Sequence, residues 1–341
     1  MFDFLIQWLE NGGIGLAALL IIVGFVLLIF SADWLVDGAS GLAKHYGVSN
    51  LVIGLTVVAF GTSMPEFVVN MVAAMDHNTE IAITNILGSN AINTFVILGM
   101  TALIYPISSQ PNCRKFDIPW SLLAGILVFL FATYTRPVSV TWGNWGAFSF
   151  QRGFITKIGG TVFLLCFILF LWHSIHFAKQ GSEEGEDIKI MRLPKALVLI
   201  IIGLLGLIVG GEVIVKSATH LAHDLGVNDA IIGLTVVALG TSLPELATSC
   251  VAAAKHNCDL ALGNVIGSNI FNIFFILGVS AMITPLPIYC GLWLDSLMVG
   301  LSALMVMLFV YCNREHKITR WHGALMLIVY AAYLTYRLTN L

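Results

Sequence analysis

Charge is what this chain has least of. Asp, Glu, Lys and Arg make up 10% of its 341 residues, against 58% hydrophobic. A soluble domain carries about 25% charged residues. This chain has too few to coat a water-facing surface of its size, and it reads as an integral membrane protein. A net charge of −3 without a basic patch argues against a nucleic-acid partner. Lys and Arg are missing from the first 43 residues. A cleaved signal peptide needs a positive start, so the first apolar run is expected to stay as a transmembrane helix. The six cysteines (113, 166, 250, 258, 290 and 312) form no CxxC pair and no Cys/His cluster. They are expected to be small core residues. No GxSxG-type elbow is present either.

What the chain does have is long apolar runs. A spanning helix needs about 20 apolar residues. Ten runs qualify: 14–33, 51–75, 82–105, 117–134, 155–177, 196–219, 229–254, 260–284, 291–312 and 320–337. The most polar interruption is the acidic stretch KQGSEEGEDIKIMRL, within 178–194. It reads as a solvated linker between a first five-helix unit (1–177) and a second (195–341). Lys44, Arg114, Lys115, Lys179, Lys189, Arg192, Lys195, Lys255, Arg314, Lys317 and Arg320 fall on one side. Arg136, Arg152, Lys157 and Arg337 fall on the other. Positive loops stay inside, so the linker is expected in the cytoplasm and both termini outside, in the cell (inner) membrane.

An internal repeat decides the expected architecture. GLTVVAFGTSMPE (54–66) returns as GLTVVALGTSLPE (233–245), and the two agree at eleven of thirteen positions. The same offset aligns NILGSNAIN (85–93) with NVIGSNIFN (264–272), and LAKHYGV (42–48) with LAHDLGV (221–227). Five helices is an odd number, so the second unit enters the membrane from the opposite side. The expected fold class is therefore all-α: ten transmembrane helices in two inverted-topology repeats, with helices 2 and 7 broken.

The break carries the chemistry. Proline inside a helix removes a backbone hydrogen bond and clashes with the preceding turn. With Gly61 before Pro65, the helix is expected to open around Ala59 to Ser63. Irregular backbone at membrane depth is tolerated only where it lines a cavity or meets a partner, and a cation is such a partner. Glu66 supplies an anionic oxygen, Thr62 and Ser63 supply hydroxyls, and Ala59 supplies a carbonyl. Ala238, Thr241, Ser242 and Glu245 repeat the set. Intramembrane carboxylates mark functional sites. On the next helix of each unit, Asn85, Ser89 and Asn93 share one face, as do Asn264, Ser268 and Asn272, each at i, i+4, i+8. Gly88 and Gly267 leave room for close helix approach. Oxygen ligands without His or Cys suit a hard cation and disfavour zinc or copper. Two carboxylates match one Ca²⁺, or several Na⁺ at subsites. Sharing them makes the two loads mutually exclusive, as antiport requires.

The paired motifs resemble the alpha repeats of the cation/Ca²⁺ exchanger superfamily, in particular its prokaryotic Na⁺/Ca²⁺ exchangers, over the whole chain. The resemblance implies a site built by Ala59, Thr62, Ser63 and Glu66, with Ala238, Thr241, Ser242 and Glu245. Ser89, Asn93, Ser268 and Asn272 complete it. It implies Na⁺ moving in against one Ca²⁺ moving out, no cofactor, and the first and sixth helices sliding as a gating pair. Some members carry an aspartate where Asn93 or Asn272 stands. Here the site has two carboxylates, which leaves stoichiometry, K⁺ dependence and H⁺ in place of Na⁺ open. The chain is expected to be no enzyme and to act as a monomer in lipid. A Ca²⁺/H⁺ exchanger on the same fold is the alternative. A cation channel would need a filter-like loop, and an intramembrane hydrolase a base beside Ser63.

Asp33, Asp37, Glu212 and Lys216 occupy matched positions on the gating pair and could pair across the gate. His45, His220 and His223 lie near helix ends. Trp120, Trp142, Trp145, Trp172 and Trp321 read as interfacial anchors.

Overall fold

The computed structural model describes residues 3–76, 78–133, 154–176, 191–227, 238–287 and 292–339. Residues 228–237, most of the acidic linker, and Trp142, Trp145 and Cys290 lie outside the described residues.

Helix α1 runs over Gly13–Tyr46, after a backbone break at Gly13 (φ 58°, ψ −166°). Its 34 residues cover about 50 Å at the α-helical rise, well beyond the ~30 Å hydrocarbon core. The run expected to stop at 33 continues because Leu35, Val36, Ala39, Leu42 and Ala43 are buried on one face. The charges that interrupt the apolar run sit on the other.

The second span is broken, as expected, but more narrowly. Helix α2 (Asn50–Thr62) ends at Ser63 (φ −83°, ψ 10°), and α3 (Met64–Met75) leaves at 48° to it. Pro65 falls in the first turn of α3, where a missing N–H leaves nothing unpaired. The second copy repeats this with α8 (Ala238–Thr241), Ser242 (φ −89°, ψ 5°) and α9 (Leu243–Ala254).

The inner spans are α4 (Thr79–Ile104) and α10 (Cys258–Ile283), the most buried of the long helices. Each carries a π-helical stretch directly after its GSN motif, at Ile92–Leu98 and Phe271–Leu277. Such insertions cluster at functional sites. Around them stand α5 (Ile118–Thr133), α6 (Lys157–His176), α7 (Leu193–Asp224), α11 (Leu292–Cys312) and α12 (Arg320–Thr339). Among the described residues, six helices are long and apolar enough to cross a membrane, or seven with α2 and α3 counted together. Their outer faces expose Ile22, Phe30, Leu165, Ile201 and Leu308, as lipid contact requires.

Helices α1 and α7 pack along their length. Small residues permit this: a Cβ on Gly203 would come within 2.8 Å of the Ser31 carbonyl oxygen. Gly267 likewise lets α10 approach α2, where a Cβ would meet the Leu55 carbonyl at 2.6 Å.

Two short antiparallel ribbons tie the ends of the bundle together. β1 (Ile107–Ser108) pairs with β4 (Lys317–Ile318), and β2 (Phe154–Ile155) pairs with β3 (Leu286–Pro287). Each joins a segment before the linker to one after it. Trp172 and Trp321 are exposed, as anchors should be, but Trp120 is not such an anchor. Its ring stacks on Phe116 and meets Phe274 of α10 edge-on, because these aromatic neighbours offer it more contact than an interface does.

Candidate cation site

Glu66 and Glu245 are both fully buried. Each sits in the first turn after its helix break, so the bend turns both carboxylates inward. They are held crosswise. Ser63 Oγ donates to Glu245 Oε1 at 2.8 Å, and Ser242 Oγ donates to Glu66 Oε1 at 3.3 Å. Each carboxylate thus accepts a hydrogen bond from the break of the other half. Ser89 Oγ adds a further contact to Glu66 Oε1 at 3.3 Å, Thr241 lies beside Glu66, and Ser268 lies beside Glu245.

The remaining oxygens form the opportunity. Glu66 Oε2, Glu245 Oε2, Asn93 Oδ1 and Asn272 Oδ1 are buried, and no hydrogen-bond donor reaches them among the described residues. An unmet buried acceptor costs about 1–3 kcal/mol. The four come from the two halves of the chain, and carboxylate and amide oxygens are ligands that hard cations prefer. Among the described residues no group of three His, Cys, Asp or Glu is placed to hold a metal, so soft-metal chemistry has no ligand set there.

The other predicted residues sort as follows. Thr62, Ser63, Ser89, Ser242, Ser268 and Asn272 are buried with the carboxylates. Ala59 is buried, and its carbonyl already accepts the Ser63 N–H at 3.0 Å and Thr62 Oγ1 at 3.4 Å. The break is therefore confined to Ser63 rather than spread from residue 59. Ala238 opens α8 at the matching place. Asn264, expected on the ligand face, is engaged as a strut. It accepts from Thr62 Oγ1 at 3.1 Å, and its Nδ2 donates to Ser249 Oγ at 2.9 Å.

Sequence reasoning passed over Asn70 and Ser249. They lie one turn beyond Glu66 and Glu245 and are related by the offset of the repeat. Asn70 Nδ2 donates to the Glu66 carbonyl at 2.9 Å. Their shared offset was the available signal. Asn90 and Asn269 were also passed over, because they lie off the i, i+4, i+8 rows.

A cavity of about 470 Å³ opens between α3, α7 and the second break, lined by Pro65, Val69, Glu212, Val215, Thr241 and Pro244. It reaches Thr241 of the site. At the corresponding place in the other half α1 packs along α9. There Lys255 Nζ lies 2.7 Å from Asp33 and 2.6 Å from Asp37. Glu212 and Lys216 pair within their own helix at 3.3 Å. The expected pairing between the two gating helices is thus replaced by a tie from α1 to the residue that ends α9. His220 pairs with Asp224, also within one helix.

A buried centre bearing two carboxyl groups between two broken helices is an arrangement that a membrane transporter of small cations can use. The chain belongs to the sodium/calcium exchanger protein family, whose pattern matches residues 16–176 and 195–339. It is 31% identical over 339 residues to the sodium/calcium exchanger MaX1 of Methanosarcina acetivorans, covering 93% of this chain and 97% of that one. It is 36% identical over 280 residues to the inner membrane protein YrbG of Escherichia coli, covering 79% and 81%. Its structure superposes on that of the sodium-calcium exchanger NCX_Mj with a TM-score of 0.78 at 34% identity, covering 95% and 99% of the two chains.

Proposed function

We propose that this protein exports Ca²⁺ in exchange for Na⁺ by alternating access. One observation carries the reading. Glu66 and Glu245, equivalent positions of the two repeats, are buried together, and each is hydrogen-bonded by the serine at the other's helix break. Ca²⁺ is bound by about 6–8 oxygens. Glu66, Glu245, Ser89, Asn93, Ser268 and Asn272, with Thr62, Ser63, Thr241, Ser242 and the carbonyls of Ala59 and Ala238, are the candidate oxygens, more than one ion needs. Na⁺ uses the same oxygens, so the two loads exclude each other. The names of MaX1 and NCX_Mj as sodium/calcium exchangers support the choice of ions.

The architecture behind it is two inverted five-helix repeats spanning the membrane ten times. The repeated breaks, the matched π-helical stretches and the crossed serine bonds support this. The positive-inside count supports cytoplasmic placement of the acidic linker, with both termini outside. The relation to YrbG supports the inner membrane. The chain works as a monomer, since one copy supplies both halves of the site. The cavity at Thr241 and the closed α1–α9 contact fit a state open to one side only, the asymmetry alternating access needs.

The test is ⁴⁵Ca²⁺ uptake into proteoliposomes loaded with Na⁺ and diluted into Na⁺-free buffer. Uptake driven by the Na⁺ gradient is expected. Uptake driven only by a pH gradient replaces the coupling ion with H⁺. No uptake under either gradient removes Ca²⁺ as the substrate.

A further inference from the structure

The Asn272 amide of the site does not hang free. Asn90 Nδ2 donates to the main-chain carbonyl of Asn269 at 3.1 Å. A carbonyl oxygen only accepts, so this contact fixes which end of the Asn90 amide faces Asn269. Asn90 Oδ1 is thereby turned toward Asn272, whose Nδ2 donates to it at 3.0 Å. With its nitrogen committed to Asn90, Asn272 presents its Oδ1 on the opposite side, where no hydrogen-bond donor meets it among the described residues. Both side chains are fully buried, so water cannot take over either role.

We infer that Asn90 is a positioning residue that orients the Asn272 amide oxygen-first toward the cation. The inference rests on the reading of Asn272 as a cation ligand. An amide has one oxygen and one nitrogen, and only one of its two orientations offers a lone pair to a cation. A carboxylate offers oxygen either way. Asn272 therefore depends on an orienting partner that an aspartate at the same place would not need.

Among the described residues the constraint acts on one half only. Asn269, the counterpart of Asn90, gives its Nδ2 to Thr94 Oγ1 at 2.7 Å. Neither amide atom of Asn93 has a hydrogen-bond partner among the described residues. The difference traces to sequence: Thr94 carries a hydroxyl where the second repeat has Ile273. The site thus combines one amide held by Asn90 with one that no hydrogen bond holds among the described residues.

The experiment is a double-mutant cycle read as the Ca²⁺ concentration for half-maximal uptake in proteoliposomes. Asn90→Ala is expected to raise it roughly tenfold in the native background, on the scale of one lost buried hydrogen bond. In the Asn272→Asp background the same change is expected to raise it less than about twofold, because the carboxylate needs no orientation. Equal factors in both backgrounds would show a packing role and overturn the inference. No change in the native background would also overturn it. Asn272→Ala separates the two levels. If it leaves Ca²⁺ dependence unchanged, Asn272 is not a ligand and the inference falls with the site assignment. Melting temperatures of all variants are measured alongside. If Asn90→Ala is not recovered as monodisperse protein, Asn90→Ser takes its place in the cycle.

Discussion

Replacing Glu245 by glutamine changes almost nothing in shape and removes one of the two charges in the site. The Ser63 hydroxyl, 2.8 Å from Glu245 Oε1, still finds an oxygen in the amide. The second oxygen, which meets no donor among the described residues, is replaced by an NH₂ group facing the cation. At an effective dielectric of about 20, a unit charge roughly 4 Å from a divalent ion contributes on the order of 8 kcal/mol. Even if the amide dipole recovers two thirds of that, the loss is on the order of 100-fold in affinity, since about 1.4 kcal/mol is a factor of ten. A thermal-shift titration reads this directly. With Ca²⁺ at about 100 times its native dissociation constant, the native protein gains about 2.7 kcal/mol and the variant about 0.4 kcal/mol. For a chain of this size that separates a shift of roughly 4 °C from one of less than about 1 °C. The Ca²⁺-free variant is expected to melt no lower than the native protein, because a buried carboxyl group has been replaced by a neutral amide of the same shape. A Ca²⁺-dependent shift in Glu245→Gln equal to the native one would refute the argument, whatever the transport rate. Glu66→Gln is expected to behave alike.

Sr²⁺ should compete with ⁴⁵Ca²⁺ uptake and Zn²⁺ at equal concentration should not, because the site offers oxygen and no imidazole or thiolate; inhibition in the reverse order would refute the ligand set. Gly203→Val, which drives a side chain against the Ser31 carbonyl 2.8 Å away, should destabilise the α1–α7 pair by about 1–3 kcal/mol. An unchanged melting curve would mean the helices do not pack there. Lys255→Ala breaks two partly exposed ion pairs and should cost no more than about 1 kcal/mol. Its effect should be non-additive with Asp33→Asn/Asp37→Asn, and full additivity would show that the three do not act together. Asp295, nearly buried, accepts from Tyr333 Oη at 2.6 Å and pairs with Arg337 at 3.4 Å. Asp295→Ala should cost about 1–3 kcal/mol in thermal unfolding, and Arg337→Ala less, since its side chain is more exposed.

Glu66 and Glu245 stand out in the sequence as candidate site residues because chemistry and repetition coincide there. A glutamate beside a proline in an apolar run has few structural excuses, and a second copy in the same context removes most of those left. The repeat also marks two halves in the sequence, and each of the six long apolar helices among the described residues overlaps an expected apolar run. Their ends were less legible. α1 runs to Tyr46 although its apolar stretch stops near 33, because burial on one face carries a helix through charges on the other.

What the sequence by itself determined was the class of the molecule, its duplication and the identity of its charged oxygens, since these follow from residue type and spacing. Only the tertiary structure decided which oxygens are already engaged. Offset alone treats Asn85 and Asn264, or Asn93 and Asn272, as equals. In the folded chain Asn264 is a strut between Thr62 and Ser249, Asn272 is held by Asn90, and Asn93 is unheld among the described residues. Likewise Asp33 and Asp37 look like partners for α7 and are in fact bound to Lys255. The physical reason is common to all of these. A hydrogen bond or ion pair depends on the distance and direction between side chains on different helices, and a repeat with perfect spacing still folds into two halves that are packed differently.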